Sequence, residues 1–141
     1  MSQRQSIMTA LVPLFATLKK SNGYNLDLGK NVKEWAAVPI EQGTLPRVSY
    51  RDAGATVTSA EFGRHEHSLR LEVEVFTTTP EDARKGIEDV VELLWANRLL
   101  GGLTRWISLD DHQIEQQQAD RKIVAALMTF TVTYRTDLGA I

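Results

Sequence analysis

The longest alternating segment of the chain constrains its fold more than any other feature. From residue 122 to residue 134, apolar residues occupy every second position, and the positions between them change from apolar to threonine halfway along. The first set is Val124, Ala126, Met128, Phe130, Val132 and Tyr134, and the second is Ile123, Ala125, Leu127, Thr129, Thr131 and Thr133. A period of two indicates a β-strand. Its first half, apolar on both faces, predicts a central strand, and the threonine half should emerge toward solvent or a partner.

Two segments carry the three- and four-residue spacing of amphipathic helices. Residues 5–20 form one apolar stripe that Pro13 interrupts, so we expect a kink or a late helix start there. Thr79, followed by Pro80 and two acidic residues, is a strong helix start. The pattern predicts a helix over residues 80–99. Its buried stripe should contain Ala83, Ile87, Val90, Val91, Leu94 and Trp95.

Three shorter segments complete a predicted sheet. Residues 47–51 and 105–109 alternate as strands do, and residues 69–76 place leucine and valine on one face. The other face of that strand carries Arg70, Glu72, Glu74 and Phe76. Asp110-Asp111 and the glutamines at 116–118 are typical of exposed turns. This order of elements predicts an α+β fold with an antiparallel or mixed β-sheet and helices packed on one face.

Length and composition favour a single domain spanning residues 1–141. Hydrophobic residues make up 43% and charged residues 24% of the 141 positions, which is ordinary globular composition. The formal charge of -2 argues against tight nonspecific binding of nucleic acid. The absence of cysteine from the sequence excludes disulfides, thiolate zinc sites and cysteine nucleophiles. No apolar run approaches the ~20 residues of a membrane helix, so we expect a cytoplasmic protein without membrane contact.

The sequence contains two histidine-based candidates for chemistry. His65 and His67 alternate on one predicted strand and could present two imidazoles to a metal, but a third ligand such as His112 is not placed by any spacing. The alternative is a pair of exposed histidines at a strand edge. Asp110-Asp111-His112 brings carboxylates beside an imidazole, yet neighbours on a turn do not point at one another as a base and its orienting acid must. We expect no metal here.

Two further sets of charged residues are candidates for a reactive or binding site. Glu72 and Glu74 share a strand face, but a solvated or intersubunit charge face fits them better than an acid/base pair. Arg47 and Arg51 flank Tyr50 and could stack on a nucleic acid, although they form no continuous basic patch. We therefore expect a protein that is not an enzyme and needs no cofactor.

Residues 53–63 are rich in small and polar side chains, with little to bury apart from Val57 and Phe62. This composition predicts a long mobile loop or a loose hairpin. Such a segment is suited to becoming ordered on a partner. The residues that we expect to make contact are Gly54, Thr56, Val57, Thr58 and Phe62.

The sequence resembles the tail-terminator and tail-completion proteins of long-tailed bacteriophages. In the first half, residues 21–32 (SNGYNLDLGKNV) and 45–50 (LPRVSY) carry the resemblance. In the second half, residues 67–73 (HSLRLEV), 83–90 (ARKGIEDV) and 130–136 (FTVTYRT) look like the long strand, helix and terminal strand of that family. The resemblance spans nearly the whole chain and concerns the order of elements and their general pattern.

The resemblance implies a structural protein that assembles into a ring, usually a hexamer. Such a ring sits on the last ring of the tail tube, ends polymerisation and presents a surface to the head connector proteins. DNA passes through its centre without specific binding. The implied locations are the host cytoplasm during assembly and then the virion tail. In such a ring, Arg70, Glu72 and Glu74 are candidates for the subunit interface, and the segment of residues 53–63 is a candidate contact with the tube or connector.

The sequence is also compatible with two other kinds of protein. The chain could be a head-tail connector or neck protein of the same assembly, because related α+β layouts could serve each position. It could also be a small dimeric α+β enzyme or ligand-binding domain. A pocket with convergent polar groups and shifted pKa values would favour the second reading.

Overall fold

The chain forms a five-stranded sheet with two helices in a computed structural model that describes residues 1–35, 45–60, 62–118 and 122–141. The helices are α1 (Gln3–Phe15) and α2 (Pro80–Ala96). The strands are β1 (Val32–Glu34), β2 (Arg47–Ala60), β3 (Arg64–Thr77), β4 (Trp106–Gln118) and β5 (Ile123–Asp137). The predicted α+β class is confirmed.

The sheet is mixed, with the strand order β1-β2-β3-β5-β4. β1 runs parallel to β2, and all other neighbouring strands are antiparallel. β5 has a hydrogen-bonded neighbour on each side, as its two-faced pattern predicts. β4 forms one edge of the sheet over its whole length.

Both helices pack against one face of the sheet, where the main hydrophobic core lies. Its fully buried members include Ile7, Leu11 and Phe15 of α1, Val90 and Leu94 of α2, and Leu71, Val73 and Val132 of the sheet. On the opposite face, Phe76, Ile123 and Ala125 form a second, smaller buried cluster. The first half of β5 is therefore buried on both sides, as predicted. The threonines of its second half are only partly buried.

The two helices differ from the predicted ones at their ends. α1 begins at Gln3 because Ser2 caps it, with the side-chain oxygen of Ser2 accepting from the amide of Gln5 at 3.1 Å. The predicted late start is wrong, since Pro13 lies in the last turn of α1. At α2 the side-chain oxygen of Thr79 accepts from the amide of Asp82 at 3.1 Å, which confirms the predicted cap.

Of the two alternatives predicted for residues 53–63, the hairpin is confirmed in the described residues, but it is regular rather than loose. β2 pairs with β3 from Arg47 opposite Phe76 to Ala60 opposite Arg64, with one register shift between Asp52 and Gly54. The β-branched residues at 56–58 favour a strand, and pairing with β3 compensates for the small residues around them. The contact residues proposed from sequence thus lie on a strand, apart from Phe62 in the turn.

The predicted turns at Asp110-Asp111 and at the glutamines are also wrong. Both lie within β4, which continues to Gln118. A register shift between Leu109 and Asp111 leaves Asp110 as an extra residue in this edge strand, so the polar run disturbs the pairing locally without ending the strand.

Candidate interaction surfaces

The sheet face opposite the helices carries a ladder of charged and hydroxyl side chains. Arg51 of β2 donates from Nε to Glu72 Oε2 of β3 at 2.7 Å, and Arg70 Nε lies 3.4 Å from the other oxygen of Glu72. Further along the same face, Arg135 Nε of β5 donates to Glu66 Oε2 at 3.0 Å. These cross-strand pairs fix the side chains in register and neutralise most of their charge.

The residues predicted for the subunit interface lie together on this face, but they differ in their surroundings. Glu72 is shared between Arg51 and Arg70. Glu74 forms no ion pair within the part of the chain that the structure describes. It lines a hollow of about 150 Å³ with Asp111 and Gln113 of β4. Glu74 is therefore the member of the set whose charge remains available to another protein.

His65 and His67 do share one face of β3, with ring centroids 6.2 Å apart. The expectation that both are exposed at a strand edge is wrong, because His67 is only 2% exposed in an inner strand. Its ring stacks on Tyr134 at 4.5 Å, and its Nε2 lies 2.8 Å from Thr136 Oγ1. Burial lowers the pKa of His67, and the nearby His65 and Arg4 lower it further.

The other candidate groups for chemistry do not converge. Asp110 accepts a hydrogen bond from the Thr131 hydroxyl. Asp111 and His112 point to opposite faces of β4, since they line different hollows. Among the described residues no group of three or more histidines and acids could hold a metal ion. The hypothetical stacking platform around Tyr50 also fails, because Tyr50 is buried against Phe15 and Arg47 lies over Phe76.

Asp89 is a structurally important residue that the sequence patterns did not reveal. It is fully buried on α2. Its oxygens accept from the backbone amides of Asn25 and Leu26 at distances of 3.0–3.1 Å. Burial raises the pKa of Asp89, against the lowering effect of the two amides. The only signal in the sequence is an acid flanked by Gly86, Val90 and Leu93 on the buried side of the helix.

An apolar groove runs between α2 and the edge strand β4. It has a volume of about 460 Å³ and is lined by Arg84, Ile87, Glu88, Val91, Glu92, Trp95, Leu109 and His112. Trp95, predicted to be buried, is 53% exposed because it lies with Ile87 and Val91 along the groove rather than on the buried stripe of α2. The Trp95 ring meets Trp106 edge to face at 5.4 Å, and Arg98 lies over both rings.

A second exposed apolar feature is the turn that joins β2 and β3. Phe62 is 94% exposed and has a positive φ of 62°, and the next residue, Gly63, has a φ of 69°. Bulky residues rarely adopt this left-handed conformation, which glycine and asparagine tolerate. The hairpin therefore holds an aromatic side chain in solvent at a local conformational cost.

Comparisons with known proteins identify a fold but not a family. No family model matches the sequence, and no curated protein is similar enough to count as a relative. Among solved structures, 37 chains match. One of them belongs to a structure described as the virion of a native gene transfer agent (GTA) particle. It matches with a TM-score of 0.50 and 12% sequence identity, over 77% of this chain and 81% of that chain. The likeness shows a shared fold across most of both chains.

In the described residues no helix is long and apolar enough to cross a lipid bilayer.

Proposed function

We propose that this protein is a structural component of a bacteriophage or phage-like particle, and that it forms the ring that terminates the tail. The observation that carries the proposal is the architecture shared with a chain of a GTA virion over most of both molecules. The resemblance of the sequence to tail terminators supports the finer assignment. The protein would assemble in the host cytoplasm and remain in the virion tail.

The sheet face opposite the helices supports a role in assembly. Glu72 and Glu66 are held in cross-strand pairs with Arg51 and Arg135, so this part of the face is ordered before any partner binds. We assign Arg70, Glu72 and Glu74 to contacts between neighbouring copies, where charge sets register more than it adds affinity. The hairpin residues Gly54, Thr56, Val57, Thr58 and Phe62 form the second surface, which we assign to contact with the tail tube or the connector.

The electrostatics of the chain suit a ring through which DNA passes. A formal charge of -2 gives no long-range attraction to a polyanion. Most arginines of the sheet face form ion pairs with Glu72 or Glu66, so few of them are available to bind phosphates. We propose a ring of six copies that contacts the tail-tube protein on one side and head connector proteins on the other.

The length distribution of tails assembled with and without this protein tests the proposal. Loss of a terminator should yield tubes of irregular, excessive length that carry no heads, because nothing ends polymerisation. Restoring the chain should restore one length. Tails of normal length that lack only heads would instead indicate a connector or neck protein, and normal infectious particles would refute an assembly role.

A further inference from the structure

The exposed turn and the apolar groove are chemically complementary. The turn presents one aromatic ring almost entirely to solvent, and the groove between α2 and β4 offers an apolar cleft of about 460 Å³. Large aromatic side chains in desolvated pockets are the usual anchors of protein interfaces. Phe62 has a strained backbone conformation and gains no burial within its own chain. Burial against a partner would offset the cost of that conformation.

Charge complementarity favours the same pairing. Arg64, two residues after Phe62, is exposed and forms no ion pair within the described residues. Glu88 and Glu92, which flank the groove, are likewise exposed and without an ion pair among the described residues. The neighbouring cations are Arg84 in the lining and Arg98 over the Trp95 ring. Docking Phe62 in the groove would bring Arg64 toward the two glutamates. Opposite charges at the rim of an interface select the partner and its orientation.

One copy cannot fill its own groove. His112, which lines the groove, lies opposite Met128 of β5, and Met128 lies opposite Val73 of β3. The turn is next to Arg64, at the other end of β3. Nine residues of strand separate these positions, which is about 30 Å at the usual rise. The occupant must therefore come from another molecule.

We infer that the Phe62 turn of one copy docks in the α2–β4 groove of a second copy. The contact is heterologous, since each copy offers a turn on one side and a groove on the other. Repetition of a heterologous contact produces either a closed ring or an open filament. This inference deepens the proposed function, on which the closed ring rests. It adds a second contact between adjacent subunits to that of Arg70, Glu72 and Glu74, and it assigns Phe62 to that contact rather than to the tube or connector.

Two substitutions remove the two halves of the contact without harming the fold. Phe62→Asn removes the aromatic ring, while asparagine tolerates the positive φ and should leave the turn more stable. Leu109→Lys places a charge in the groove on an edge strand, where lysine is well tolerated. Each variant should weaken self-association about 30-fold or more, as truncation of an interface anchor does.

The chain offers a matched control for each change. Ile114 lies on the same edge strand, is 38% exposed like Leu109, and does not line the groove. Ile114→Lys should therefore assemble as the wild-type chain does. Val12→Asn on α1 should behave in the same way, because it removes an exposed apolar side chain that belongs to neither the turn nor the groove lining.

Sedimentation velocity of the variants, alone and mixed, tests the inference. Phe62→Asn and Leu109→Lys should each be monomeric, and their equimolar mixture should give a 1:1 heterodimer through the one intact turn and the one intact groove. Thermal unfolding of Phe62→Asn should occur no lower than in the wild-type chain.

The outcomes separate this inference from the proposed function. Rings formed by both variants overturn the inference and leave the terminator role standing. Rings of Phe62→Asn that fail only to bind tail tubes also overturn it, because the turn would then contact the tube. A mixture that stays monomeric excludes the heterologous contact. A wild-type chain that is monomeric at all concentrations, with tubes present, overturns both.

Discussion

At Asp89 a single carboxylate joins helix α2 to the segment that follows α1. The backbone amides of Asn25 and Leu26 donate to it, and they have no other acceptor among the described residues. A buried amide that loses its acceptor costs about 1–3 kcal/mol. Asp89→Ala should therefore lower the free energy of unfolding by that amount at pH 7, measured by urea denaturation.

The pH dependence of Asp89 gives a second, independent test. Because burial raises its pKa, the folded chain binds the Asp89 proton more tightly than the unfolded chain does. The resulting stability is present below the unfolded pKa of about 4 and is lost as pH rises through the folded value. The stability gap between wild type and Asp89→Ala should widen from pH 7 to pH 4. A gap that narrows contradicts this.

His67 should act in the opposite sense. Its pKa is lowered in the folded chain, so its contribution to stability is present above the unfolded pKa of about 6.5 and is lost as pH falls through the folded value. His67→Phe preserves the stack on Tyr134 and removes the titration. Between pH 7.5 and pH 5, its free energy of unfolding should decline less than that of the wild type. Equal declines would show that His67 is not the source.

Among the elements, α2 approaches the sheet most closely at Gly86. A Cβ built there would lie 2.6 Å from Val75 Cγ1, and valine in a paired strand has no flexible end that can move aside. Gly86→Ala should lower the free energy of unfolding by about 1–3 kcal/mol, although alanine favours a helix more than glycine does.

Shortening the opposing side chain provides the control for Gly86. Val75→Ala removes the atoms that Gly86→Ala would meet, so the double variant should be less destabilised than the sum of the two single variants. Chemical denaturation of the four proteins measures this coupling. Strict additivity would mean that the close approach does not determine the effect.

The elements that were predictable from sequence are those whose signal is local. The Thr79 cap and the two-faced pattern of β5 depend on near neighbours in the chain, and both appear in the structure. For residues 53–63 the sequence left a mobile loop and a loose hairpin as alternatives, because the small residues lack a core-facing pattern and only pairing with β3 makes them a regular strand. The burial of His67 and the contacts of Asp89 depend on residues that lie between 63 and 69 positions away along the chain. No local pattern specifies such contacts.

At the scale of the whole molecule, Glu74 is the side chain of the charged sheet face at which assembly can be tested without breaking an ion pair of the described residues. Glu74 has no ion pair in the described part of the chain, so Glu74→Lys should leave the free energy of unfolding nearly unchanged. The same change should weaken ring formation at low salt, because it reverses a charge at the proposed subunit boundary. Analytical ultracentrifugation measures the effect, and unchanged assembly counts against the boundary. Glu72→Lys is a poorer test, since it also breaks the Arg51 pair.

Sequence predicted the class of the molecule better than its contact surfaces. Arg70, Glu72 and Glu74 were placed correctly on one face, because alternation along a strand is enough to do so. The groove could not be predicted, since it combines α2 with Leu109 of a predicted strand and with His112, which the sequence placed on a turn. Phe62 was identified as a contact residue, but its positive φ becomes visible only once the hairpin is known.

Electron microscopy of tail tubes assembled with a tagged copy of this chain tests the central claim most directly. A terminator ring should place the tag at one end of each tube and nowhere along its length. A tag distributed along the tube, or one that never binds tubes, would contradict the account.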